Sequence, residues 1–96
     1  MSAVVGLCTI ELQIPSSRSL KDKRQVVRSV IQRIRNEFNV SVAEVDHLDS
    51  WQLASLAVVC VSNETGRVHS LLEGVVRFVE RGRFDLILLD YEIELI

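Results

Sequence analysis

Hydrophobic periodicity along this chain switches back and forth between two residues and about 3.6, and that order of switching limits the folds available to it. "AVVGLCTIELQI" (3–14) is β-branched, and its second half alternates: Ile10, Leu12 and Ile14 against Glu11 and Gln13. Pro15 ends it. Ser19 and Asp22 form an S-x-x-D box that opens a helix, and Leu20, Val27, Val30, Ile31, Ile34 and Phe38 fall in one helical stripe before the helix ends near Asn39. "VSVAEVDH" (40–47) reads as a second strand, "LDS" as a turn, and "WQLASLAVVCVS" (51–62) as a third strand, apolar on both faces through its middle.

A second helix follows "NETG", with Asn63 or Thr65 as its cap. Val68, Leu71, Leu72, Val75, Phe78 and Val79 form its buried stripe, and Gly82 is its stop. "FDLILLDYEIELI" (84–96) alternates as a last strand. Ile87, Leu89, Tyr91, Ile93 and Leu95 share one face, Asp90, Glu92 and Glu94 take the other, and Leu86 and Leu88 point outward. Two amphipathic helices and four half-buried strands in the order βαββαβ bury their apolar faces best as two layers. The expected fold is therefore α+β: a ferredoxin-like sandwich over residues 1–96, one domain, with right-handed crossovers and an antiparallel sheet of order 4-1-3-2.

Charge is distributed unevenly over that frame. The formal net charge is −2, but residues 18–37 hold seven of the eleven Lys and Arg and carry a net +5, leaving −7 for the rest. At 100° per residue, Lys21, Arg24, Arg28 and Arg35 lie within roughly 60° of one another on the first helix. With Arg18 they make a basic edge suited to nucleic-acid phosphates; the competing readings are a solvated helix face and self-association against an acidic surface. Lys23 points along the apolar stripe instead. It must snorkel off the helix end or be paired, and Glu44, sharing parity with Val40 and Val42, is the partner for a structural Lys23–Glu44 ion pair.

The topology gathers Ser16, Ser17, Arg18, Lys21, Lys23, Arg24, Glu44, Asp46, His47, Asp49, Trp51, Arg81 and Arg83 at one end of the domain. "PSSRS" ahead of the helix could receive an anion, or could simply cap it. Asp46, His47 and Asp49 are a weak metal pattern without a further His or Cys close by. No catalytic constellation, metal motif, cofactor motif or small-molecule substrate is indicated. Cys8 and Cys60 sit in apolar runs and read as buried, reduced thiols, and the start of the chain lacks a secretory pattern, so the expected setting is cytoplasmic, with no membrane partner. The exposed sheet face carries Glu11, Asp90, Glu92 and Glu94, so RNA contact is expected from the helix edge rather than from sheet aromatics.

"SLKDKR", "FNVSVAEV" and "WQLASLAVVCVSN" closely resemble the signature of a bacterial domain-of-unknown-function family (number 503, YlxP-like). The matching positions include Ser19, Leu20, Lys21, Lys23, Arg24, Phe38, Ser41 and Glu44. The resemblance implies a ferredoxin-like α/β fold and, from gene neighbourhoods near translation initiation and ribosome maturation, a connection to RNA or the ribosome. It implies no enzymatic role. The functional expectation is thus a non-enzymatic RNA- or ribosome-associated module, the alternative being a homodimer or higher homo-oligomer associating through the open sheet face.

Overall fold

The computed structural model describes residues 2–96. The elements are β1 (Val4–Gln13), α1 (Leu20–Glu37), β2 (Ser41–Asp46), β3 (Leu53–Ser62), α2 (Thr65–Arg81) and β4 (Ile87–Leu95). The strands form one antiparallel sheet in the order β2-β3-β1-β4, which is 4-1-3-2 read from the other edge. Even-numbered residues of β1 and β3 face the helices. Cys8, Ile10, Leu12, Ala54, Leu56 and Val58 are buried there against Val27, Val30 and Ile34 of α1 and Val68, Leu72, Val75 and Val79 of α2. Odd-numbered positions form the open face.

Gly6 sits where α2 comes closest to β1. A Cβ built on it would lie 2.3 Å from Val68 Cγ1 and 2.8 Å from Leu72 Cδ1. The missing side chain therefore sets the spacing between the layers.

Local chemistry starts and stops the helices. Ser19 Oγ accepts the Asp22 N–H at 3.0 Å, and the Asp22 carboxylate accepts the Arg18 N–H at 3.0 Å. This is a capping box whose return bond reaches one residue further back than Ser19 itself. The cap of α2 is neither Asn63 nor Thr65. Glu64 occupies the position with no side-chain bond to the helix, because Asn63 falls one residue too early and Thr65 is already helical. Gly82 does stop α2, with its N–H on Phe78 O at 2.9 Å, but at φ −65°, outside the left-handed region. Glycine is needed there for space: a Cβ would lie 2.4 Å from the Phe84 ring.

Two bulges change which residues face the core. On β2 the register shifts between Glu44 and Asp46, so Glu44 faces the helices and Asp46 pairs with Ser55 on the open face, with Val45 as the inserted residue. On β4, Asp90 pairs with Glu11 but Leu88 with Leu12, which leaves Leu89 as the inserted residue. One extra residue exchanges the faces of a strand. Leu86 and Leu88 consequently pack on the core, as does Ile93 beyond the bulge, while Ile87 and Leu89 are 49% and 51% exposed. This corrects two expectations: Leu86 and Leu88 do not point outward, and Ile87 and Leu89 do not share a face with Tyr91 and Ile93.

Candidate functional site

The first turn of α1, the β1–α1 loop and the β2–β3 turn are bonded into one unit. Lys23 stands at its centre with its side chain fully buried. Its Nζ donates to His47 O at 2.8 Å and to Leu53 O at 3.1 Å, and lies 2.9 Å from Glu44 Oε2. Two carbonyls accept hydrogen bonds from the ammonium and a carboxylate oxygen stands at ion-pair distance, so the ammonium is inside and does not snorkel to solvent. Glu44 Oε2 lies off the line of a good hydrogen bond and accepts no other. Charge holds it there.

His47 adopts φ 59°, in the left-handed region, and the carbonyl it presents binds Lys23 and the Ser50 N–H. Gln52 completes the junction. Its side-chain Nε2 donates to Pro15 O at 3.0 Å and Ser17 O at 3.1 Å, and its backbone carbonyl accepts the Ile14 N–H at 2.7 Å. Sequence reasoning missed this role of Gln52: it falls in the stretch read as the start of the third strand, but β3 begins at Leu53 and Gln52 lies in the turn before it.

The basic edge is narrower than the helical projection indicates. Arg18, Lys21, Arg24, Arg28 and Arg35 are all exposed. Arg35, however, folds over the free edge of β2 and donates from Nη2 to Val42 O at 2.9 Å. It is partly a structural group. Among the described residues, none of the five has a carboxylate within ion-pair distance. Arg33, on the other flank of α1, lies 4.5 Å from the Phe84 ring centroid and 5.9 Å from that of Phe78, a cation–π stack fastening α1 to the segment after α2.

The serines ahead of α1 are already bonded. Ser17 is buried and donates to Ser19 O, and Ser16 donates to the Asp85 carboxylate. Those hydroxyls are engaged and a carboxylate stands beside them, which counts against an anion cradle in this loop. The open sheet face carries Glu11, Asp46, Asp90, Glu92 and Glu94 by register. Ser55 donates to Glu11 across β3 and β1.

Burial, with the Glu73 charge behind it, pushes the Cys8 thiol up to about 11; burial also raises Cys60, against a backbone hydrogen bond from Gly6. A thiol whose folded pKa is raised favours the native state only while protonated. Between its ordinary 9.0 and about 11 the unfolded chain releases the proton and the folded chain keeps it. Stability should therefore fall by about 2–3 kcal/mol as pH rises through that window. Urea unfolding at successive pH values checks it, with Cys8→Ala flattening the decline. An unchanged slope in Cys8→Ala would assign the decline to other groups.

Fold and site define a small two-layer α/β protein that carries a basic helix edge and an acidic strand edge on opposite sides of one sheet. The chain belongs to the family described as protein of unknown function (DUF503), whose model matches residues 5–93. It is 32% identical over 77 residues to the uncharacterized protein YlxP of Bacillus subtilis (strain 168), covering 80% of this chain and 84% of that one. The de novo designed protein Foldit4 is similar in fold, with a TM-score of 0.56 at 14% identity over 99% of this chain and 97% of the design.

Proposed function

We propose that this chain is a non-enzymatic, ferredoxin-like binding module that contacts RNA, in the setting of the ribosome, through the outer edge of α1. One observation carries the reading. Lys21, Arg24 and Arg28 lie exposed along one edge of a rigid helix, with Arg18 beside its start, and no carboxylate of the described residues pairs with them. Cations left free in a row suit a row of phosphates. Two unbridged thiols fit a reducing, cytoplasmic setting. Among the described residues no helix is long and apolar enough to cross a membrane.

RNA titrations at several salt concentrations test the reading. Replacing Lys21, Arg24 and Arg28 together by Ala should weaken binding and make the slope of log K against log salt shallower by about two, the single-strand value for three lost phosphate contacts. Equal affinity and equal slope in both proteins would remove the proposal.

A second reading is self-association through the open sheet face. Its support is the exposure there of Val59, Val61, Ile87 and Leu89. Sedimentation of the same preparation without RNA separates the two, since a strict monomer at micromolar concentration eliminates a stable homodimer and leaves the RNA reading standing.

A further inference from the structure

The two edges of the sheet are finished differently. β2 is six residues long, is interrupted by the bulge at Val45, and is covered by Arg35, whose guanidinium occupies the Val42 carbonyl. β4 is nine residues long and ends the sheet on the other side, remote from the basic edge of α1. An uncovered strand edge is a template for another strand unless something blocks it.

The register shows which backbone groups of β4 are free. Ile96 donates its N–H inward to Val5 O. Antiparallel alternation then turns the N–H and C=O of Leu95, Ile93 and Tyr91 outward. The Tyr91 N–H meets the side chain of its own neighbour, Asp90 Oδ1, at 2.9 Å. Among the described residues no other side chain bonds the backbone of this strand.

The flanks of that edge share one sign. Asp90, Glu92 and Glu94 lie on the open face, beside Glu11 of β1. On the helix side, Tyr91 OH donates to Glu73 Oε2 at 3.2 Å. The Glu73 bond and charge hold the Tyr91 phenol above its usual range. None of these acids pairs with a Lys or Arg among the described residues.

We propose that the free edge of β4 docks an extended, Lys/Arg-rich segment of another protein as an added strand. Backbone bonds to Ile93 and Leu95, and to the carbonyl of Tyr91, supply the pairing. Successive side chains of an added strand fall on opposite faces, and here both faces offer carboxylates. A second copy of this chain fits poorly. Pairing β4 with itself sets two Asp90–Glu92–Glu94 rows side by side, and like charges across strands destabilise. Pairing β4 with β2 of another copy meets the guanidinium of Arg35. Nucleic acid is repelled by the same carboxylates. The inference stands apart from the RNA reading, which uses the opposite edge.

The test is fluorescence anisotropy with the full chain and a labelled peptide of about ten residues, near the length of the edge, alternating Lys or Arg with Val. A second peptide of equal charge is N-methylated at alternate residues, which removes the N–H groups that would pair. N-methylation should weaken binding about tenfold, the effect of losing one or two hydrogen bonds, and Glu92→Gln with Glu94→Gln should weaken it comparably. Amide exchange at Ile93 and Leu95 should slow when the unmethylated peptide binds. Equal affinity for both peptides would overturn the proposal in favour of charge attraction alone, as would unchanged exchange at Ile93 and Leu95 with peptide bound. Slowing of those amides with protein concentration and no peptide would overturn it in favour of self-pairing.

Discussion

Lys23→Met should destabilise the protein by about 3–5 kcal/mol, the usual cost of removing one member of a buried ion pair. The methionine fills the volume but removes the charge facing Glu44 and the donor serving His47 O and Leu53 O. Domains of this size have roughly 5–15 kcal/mol in total, so the loss is a large share of it. Adding Glu44→Gln should recover part, because the carboxylate left behind no longer has to be kept charged at an interior position. Urea unfolding of the wild type, both single variants and the double variant gives the coupling directly. A loss under about 1 kcal/mol for Lys23→Met, the scale of an exposed pair, would mean the junction is not held by this ammonium.

Gly6→Ala should cost about 1–3 kcal/mol, although the same exchange in open strand geometry gains up to about 1 kcal/mol by restricting the unfolded chain. The new methyl would sit 2.3 Å from Val68 Cγ1, a stiff β-branched group in the core, so α2 must move off the sheet. Val68→Ala in the same chain should make the space. The double variant should then be more stable than the sum of the two single losses predicts, and thermal unfolding of the four proteins checks this. Strict additivity would show that the layers do not meet at this point.

These two residues also show what could be read from the sequence and what could not. The order of elements followed from periodicity, because a helix stripe and an alternating strand leave different marks. The inward aim of Lys23 followed from helix angle, and strand parity offered Glu44 as its partner, with snorkelling left as the alternative. The carbonyl partners of Lys23 did not follow, since backbone groups have no letter of their own. Arg35 was placed on the basic edge for the same reason: a helical projection contains Lys21 and Arg24 but not the Val42 carbonyl beneath it. The bulges at Val45 and Leu89 were illegible because each adds one residue without a glycine or proline to mark it. In "LILLDYEIEL" either parity offers an apolar face at the start, so unbroken alternation was the simpler reading and set Leu86 and Leu88 on the wrong side. The cluster at Gly6 was hidden too, because a glycine in a strand does not announce which helix residue lies above it.

The pairing of Gly6 with Leu95 has a consequence for how the molecule forms. β1 lies inside the sheet and β4 completes it, so that contact closes a loop through all four intervening elements. Such closure is slow relative to local pairing and is repaid only when both ends are in place. Until β4 arrives, β1 has a bare side, and the half-built sheet is the species most exposed to wrong partners. Assembly should therefore be all-or-none, with the arrival of β4 deciding when β1 becomes protected.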